Sequence, residues 1–140
     1  MNKIAVSIVD DHALFRRGVA DIIRQSEHFD VQQEYSSGSA FLSALDTANI
    51  ELLLLDVQMP QMSGIEVLKC IRERNVDLKV IILTASLEDS IVLDAIRLGA
   101  NGFLPKDTLP EDILLQLHQV MQGRTVLHAD GVALLAQQVR

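Results

Sequence analysis

The chain has little cysteine, a deficit of basic charge and no long apolar run, and each shortage narrows what it can be. Cys70 is the only cysteine in 140 residues, which excludes an intrachain disulfide and a cysteine-rich zinc site. Lys and Arg number 12 against 19 Asp and Glu, a formal net charge of −7. Gripping a phosphate backbone needs a basic face, so this stretch is not expected to hold nucleic acid by itself. Met1-Asn2-Lys3 leads into an apolar stretch that stops at Asp10-Asp11, too short for a signal peptide or a membrane span. Neither G-x-x-x-x-G-K-[ST] nor G-x-G-x-x-G occurs, so nucleotide binding through a glycine-rich loop has no support. A soluble protein of a reducing compartment, the cytoplasm, is expected, with no membrane partner.

What is present points to one packed domain. Hydrophobic residues make up 49% and charged residues 22%, a balance that excludes disorder as the main state. Compact apolar runs at 4–9, 52–55, 80–83 and 102–104 alternate with amphipathic stretches, and 29–35 alternates polar and apolar as an edge strand does. Strands that are apolar throughout are buried on both faces, as in a parallel sheet covered by helices. Helical spacing is read at 13–25, 39–47, 63–74, 88–98 and 110–122. Ser63 with Glu66 is placed as a capping box, Gly99 as a C-terminal cap, and Pro110 in a first turn. Phe15, Val19, Ile22 and Ile23 form the expected buried face of the first helix, and Ile91, Ala95 and Leu98 that of the fourth. The order is strand then helix five times, a (βα)₅ chain with an open, doubly wound parallel sheet. Residues 1–123 are expected to form the domain and 124–140 a linker or terminal helix.

In such sheets ligands sit outside the carboxyl ends of the strands. The residues that follow the apolar runs are Asp10 and Asp11, Asp56, Thr84 and Lys106. Each has an ordinary reading alone: turn or N-cap for the acidic pair, strand end for Asp56, steric preference for Thr84, solvated charge for Lys106. Together they gather three carboxylates, one hydroxyl and one ammonium on one edge. Carboxylate oxygens suit a hard cation such as Mg²⁺, which with Lys106 would offset their repulsion.

The stretches that carry this chemistry are Asp10-Asp11-His12-Ala13-Leu14-Phe15-Arg16-Arg17-Gly18, Asp56-Val57-Gln58-Met59-Pro60 with Ser63-Gly64, Leu83-Thr84-Ala85, and Gly99-Ala100-Asn101-Gly102-Phe103-Leu104-Pro105-Lys106-Asp107. They resemble the receiver domain of two-component response regulators, over about residues 3–123. The Asp-Asp-His opening and the Lys-Asp after the last strand resemble the subfamily with a C-terminal LuxR/NarL-type helix-turn-helix output domain. The resemblance implies a flavodoxin-like fold with strand order 2-1-3-4-5. It implies Asp56 as phosphoacceptor, with Asp10, Asp11, Asp56 and the backbone carbonyl of Gln58 holding Mg²⁺. Thr84 and Lys106 would contact phosphoryl oxygens, and Phe103, which lacks a hydroxyl, stands at the aromatic switch position. The implied protein is a switch rather than an enzyme, assisting its own phosphorylation and slow dephosphorylation. Its implied partners are a sensor histidine kinase, a second copy on phosphorylation, and DNA only through an output domain outside this chain. That no such domain follows is expected of an isolated receiver or of a piece of a longer regulator. Pro105 precedes the lysine, where many receivers have a cis proline after it, which leaves the loop geometry open.

Two other readings are weighed. A phosphatase using Asp56 as covalent nucleophile would need an acid–base group two residues on, where Gln58 stands. A degenerate receiver would lack a pocket residue, and none is missing. Gln58 and Ser86 are candidates for tuning water entry, or ordinary loop residues. Leu14 is a candidate kinase contact, against a slightly favoured reading in which it seals the helix end against a loop. His12 is expected to cap or pack at the helix start rather than bind metal, and His28, His118 and His128 show no ligand spacing. Met59, Met62 and Cys70 are expected to pack.

Overall fold

Four consecutive leucines, Leu52, Leu53, Leu54 and Leu55, can be buried only where both faces of a strand are covered, and all four are fully buried. The structure, a computed structural model, describes residues 3–74, 76–85 and 88–123. The expectations for 124–140 and for Ser86 lie outside these residues. Five strands, β1 (Ile4–Val9), β2 (Phe29–Tyr35), β3 (Leu52–Asp56), β4 (Lys79–Thr84) and β5 (Gly102–Pro105), form one parallel sheet in the order 2-1-3-4-5. Between and after them run α1 (Ala13–Arg24), α2 (Gly38–Ala44), α3 (Gly64–Glu73), α4 (Asp89–Arg97) and α5 (Pro110–Met121). This is the flavodoxin-like (βα)₅ arrangement expected. No described helix is long and apolar enough to cross a membrane.

Strand alternation divides the core in two. Val6, Ile8, Leu52, Leu54, Leu83 and Leu104 face α1 and α5, against Val19, Ile23, Ile113 and Leu117. Val9, Leu53, Leu55, Ile82 and Phe103 face α2, α3 and α4, against Phe41, Leu68, Ile71 and Ala95. The helices begin and end where local chemistry stops them. Ser37 Oγ accepts from Ala40 N–H at the start of α2, and Ser63 Oγ accepts from Glu66 N–H at the start of α3. Gly99 follows α4 at φ +79°, the left-handed value that terminates a helix without a Cβ penalty.

Some faces differ from expectation. Val19, Ala20 and Ile23 are the buried residues of α1, with Phe15 and Ile22 only partly covered at its margin. In α4 the buried pair is Val92 and Ala95, while Ile91 and Leu98 are partly exposed, so the face is rotated from the expected one. Helix α2 ends earlier than expected, at Ala44, and Thr47 and Ala48 continue only as turns on Ala44 O.

Arg72, on α3, ties together three elements. Its guanidinium donates to Leu98 O, Leu78 O, Gly99 O and Asn101 Oδ1 at 2.7–3.2 Å, and Asn101 Oδ1 also accepts from Val80 N–H. One planar fork thus satisfies carbonyls at the end of α4 and at the start of β4. Arg72→Ala should cost about 2–4 kcal/mol by leaving those acceptors unpaired, and Arg72→Lys should recover little of it, because one ammonium cannot span four acceptors. Urea denaturation of the three proteins checks this.

Candidate functional site

Parallel strands deliver their carboxyl ends to one edge, where β3 and β4 end in Asp56 and Thr84 and where Asp10 follows β1 and Lys106 follows β5. Asp10, Asp56 and Thr84 are at most 2% exposed. Asp10 is held at its backbone by a bond from its own N–H to Tyr35 O and at its side chain by His12 N–H, which donates to Oδ1 at 2.8 Å. Asp56 is the last residue of β3, and its Oδ1 accepts from Gln58 N–H at 3.3 Å. Lys106 follows β5 in a turn closed by Thr108 N–H and Oγ1 on Pro105 O, and its own N–H donates to Thr84 O. No peptide bond among the described residues is cis. That is the geometry of the Pro105-Lys106-Asp107 loop.

The turn carries the Lys106 ammonium into the acidic group. Nζ lies 3.0 Å from Asp10 Oδ2, 3.4 Å from Asp56 Oδ1 and 3.3 Å from His12 Nδ1, and 4.9 Å from the centre of the Phe15 ring. Asp11, beside them, is about one-quarter exposed. The structure therefore brings Asp10, Asp11, Asp56 and Lys106 together, with Thr84 buried at the neighbouring strand end. Phe103 is buried in the core one layer below. Gln58 stands exposed in the loop after Asp56.

Asp10 Oδ2, Asp11 Oδ1 and Asp56 Oδ2 are buried and accept no hydrogen bond, although Asp10 Oδ2 faces the Lys106 charge. Buried acceptors of this kind are costly unless a cation faces them. One ligand atom from each of Asp10, Asp11, His12 and Asp56 lies within 4.8 Å of the others. This oxygen-rich set fits a hard divalent ion such as Mg²⁺.

The electrostatics agree. Burial first, then the Asp10 charge and a bond with Asp11, push the Asp56 carboxyl up from 3.8 to about 6, against the opposing pull of Lys106 and Gln58 N–H.

Sequence reasoning missed five contributors. His12 occupies the N-cap position of α1, yet its side chain makes no capping bond and turns toward the acids instead. Arg16 donates to Asp10 O at 2.6 Å and to Glu34 Oε1 at 3.1 Å, bracing the carbonyl of an acidic residue. Glu34 also pairs with Arg17 and Arg24. Burial raises its pKa, but the Arg16 bond, the Arg17 charge and the Arg24 contact outweigh it and hold the carboxyl below its ordinary value. Phe15 lies under the lysine. Gly64 packs against the chain at Asp56 and Val57, where a Cβ would come within 2.3 Å of Asp56 O, a signal that glycine in that motif position could have given.

A carboxyl whose pKa is higher in the folded chain favours folding most fully below its unfolded value, near pH 4. That contribution is lost as pH rises through about 6. With chelator present, melting temperature should therefore fall across this window. Asp56→Asn should flatten that dependence and raise the melting temperature at pH 7.5 by several degrees, about 1–2 kcal/mol. Added Mg²⁺ should raise the parent's melting temperature at pH 7.5, with progressively less effect as Asp56 protonates.

Comparison with known proteins follows the same residues. Residues 6–118 match the response regulator receiver domain. The chain is 33% identical over 135 residues to the nitrate/nitrite response regulator protein NarL of Escherichia coli K12, covering 96% of this chain and 62% of that protein. It is 32% identical over 137 residues to the DNA-binding transcriptional activator DevR/DosR of Mycobacterium tuberculosis, covering 98% and 63%. The chain thus spans about three-fifths of the length of these relatives. Among solved structures, the signal receiver domain of NarL from Mycobacterium tuberculosis superposes with a TM-score of 0.83 at 33% identity, covering 89% of this chain and all of that one. The isolated receiver domain of RcsB from Salmonella enterica, solved with phosphomimetic BeF₃⁻, gives 0.85 at 25% identity, covering 95% and 99%. A structure of two RcsB dimers bound to two parallel DNAs gives 0.85 at 25% identity, covering 96% and 69%. By its matched residues, strand order and acidic edge, the chain belongs to the response regulator receiver domain family.

Proposed function

We propose that this chain is the phosphoacceptor switch of a two-component system, accepting a phosphoryl group on Asp56 from a phosphohistidine of a cytoplasmic sensor kinase domain. The observation that carries the reading is a buried carboxylate at a strand end that shares one ammonium with the buried Asp10 carboxylate and lies beside a third, Asp11. An Asp56 oxygen attacks phosphorus, the bond from phosphorus to the donor imidazole breaks, and the imidazole keeps the electron pair. Carboxylates are weak nucleophiles, so neutralising charge on the transferring group matters more than covalent assistance. A Mg²⁺ held by Asp10, Asp11, Asp56 and the backbone carbonyl of Gln58 supplies part of that neutralisation when bound. Lys106, tethered through its N–H to Thr84 O, turns its ammonium from the carboxylates to a phosphoryl oxygen. Thr84 donates its hydroxyl to another. The Gln58 amide has no acid–base capacity, so hydrolysis of the acyl phosphate is slow and the chain is a switch rather than an enzyme.

The receiver occupies residues 1–123, and the tail 124–140 leads toward an output that regulates transcription. The transcriptional names of the relatives and the DNA-bound RcsB dimers support an output of this kind and self-association, which we place under the control of phosphorylation. Intact-mass spectrometry after treatment with acetyl phosphate and Mg²⁺ should show one phosphoryl adduct, lost in Asp56→Ala and with chelator. An adduct that persists in Asp56→Ala would remove the assignment.

Docking of the kinase is proposed at the head of α1. Leu14 is 89% exposed in the first turn, beside the acidic edge, which is at odds with a seal against a loop. Leu14→Ala should slow transfer from the kinase several-fold and leave acetyl phosphate labelling unchanged. Equal losses in both assays would instead indicate a folding defect.

A further inference from the structure

The backbone of Asp10 is held at both of its polar groups from β2, the edge strand. Its N–H donates to Tyr35 O at 3.0 Å, and its carbonyl accepts from Arg16 Nη1 at 2.6 Å. Arg16 is fixed in turn by Glu34, whose Oε1 accepts from Arg16 Nε at 3.1 Å. Glu34 and Tyr35 are the last two residues of β2. We propose that Arg16 and Glu34 are positioning residues for phosphoryl acceptance, acting on the reacting groups through the Asp10 carbonyl, an inference that rests on the phosphoacceptor reading of Asp56.

The grip falls where the sheet stops supplying one. The ladders on both sides of β1 end at Val9, so the Arg16 guanidinium stands in for the next rung at the Asp10 carbonyl. What hangs from that carbonyl is the geometry of the site. Asp10 Oδ1 accepts from His12 N–H at 2.8 Å, and Oδ2 lies 3.0 Å from Lys106 Nζ, which stands 3.4 Å from Asp56 Oδ1. A turn of the peptide plane after Asp10 would shift both oxygens and draw the ammonium with them. Misplacing reacting groups by about 1 Å can cost about 100-fold in rate.

Glu34 divides its two oxygens between a buried and an exposed partner set. Oε1 takes Arg16, whose side chain is 16% exposed, and Oε2 takes Arg17 and Arg24, which are 67% and 45% exposed. The Arg16 fork reaches both the Asp10 carbonyl and the Glu34 carboxylate in one fixed plane, which a lysine ammonium cannot reproduce. Arg24 pairs with Glu34 and Asp21 and not with Asp10, so it touches the same carboxylate without touching the site. It is therefore an internal control for a purely structural role of the cluster.

The test times acetyl phosphate labelling of the full 140-residue chain at saturating Mg²⁺, with each rate divided by the folded fraction from urea denaturation. Arg16→Met should slow labelling at least about tenfold. Arg16→Lys, which keeps a donor for the carbonyl but not the fork, should fall between it and the parent. Glu34→Gln should slow labelling less, and the double variant should be no slower than Arg16→Met, because Glu34 acts through Arg16. Arg24→Ala should leave the rate unchanged. Transfer from the kinase should slow by the same factors, which separates positioning from docking at the head of α1. Should Arg16→Met fail to fold, Arg16→Lys and Glu34→Gln carry the same comparison. Equal labelling of parent and Arg16 variants, additive losses in the double variant, or a loss confined to kinase transfer would overturn the inference and leave the phosphoacceptor reading intact. A parent that takes no label would sink both.

Discussion

Asp10 and Asp56 are buried beside one another at the ends of adjacent strands, and one ammonium stands 3.0 and 3.4 Å from them. Most of the molecule can be understood from what it takes to hold that arrangement. Two carboxylates in an apolar fold lose most of their hydration and repel each other, and both effects, burial first, push the Asp56 pKa up. Lys106 relieves part of it from β5, across β4, which requires the 2-1-3-4-5 order that sets β1 and β3 side by side. The site thus carries more negative than positive charge, and a cation bound there would alter its balance strongly.

Holding such a pair demands rigid surroundings, and the supports are backbone contacts more than side-chain ones. The Asp10 carbonyl is gripped by Arg16, and Arg16 is fixed in turn by Glu34. Glu34 reaches α1 because the β1–β2 ladder slips by one residue between Val6 and Ser7, where Gln32 is passed over. Beyond the slip, Glu34 stands opposite Ile8, on the α1 face, and Tyr35 opposite Val9, where its ring meets Phe41 edge to face. On the other flank Gly64 lets α3 approach the Asp56 carbonyl more closely than any Cβ allows. The carboxylates are therefore positioned by the chain that carries them, with little freedom to swing away from each other.

How much of this could be read beforehand follows from its physical origin. Strands buried on both faces are apolar without interruption, and the residue ending each run must sit at the sheet edge. For that reason the five strands and the group Asp10, Asp11, Asp56, Thr84 and Lys106 were legible from pattern alone. Which of two adjacent aspartates is buried was not, since identical neighbours differ only in the direction the backbone gives them. Glu34 was illegible for a sharper reason. Strict alternation through 29–35 places it with the solvent-facing residues, and only the slip in register reverses it. The tilt of α4, which buries Val92 rather than Ile91, likewise depends on its packing on Phe103 and α3, contacts distant in sequence.

The same alternation constrains how a change at the edge can travel. Ile82 faces α4 together with Phe103, its partner in register, and Thr84, two residues on, continues that face. Thr84 stands opposite Pro105, two residues after Phe103, so hydroxyl and ring are diagonal neighbours on one side of the sheet. Asp56, by contrast, continues the alternation of Leu52 and Leu54 toward α1 and α5. Charge arriving at Asp56 therefore cannot push on Phe103 directly through the packed sheet. It can act through groups that reach around the strand ends, and Lys106 and Thr84 are joined there by a backbone bond of 2.9 Å. A ligand shifts such an equilibrium only by its differential contact with the two states. On the proposed roles of Lys106 and Thr84, the face disturbed by such a contact would be the one carried by β5 and α4.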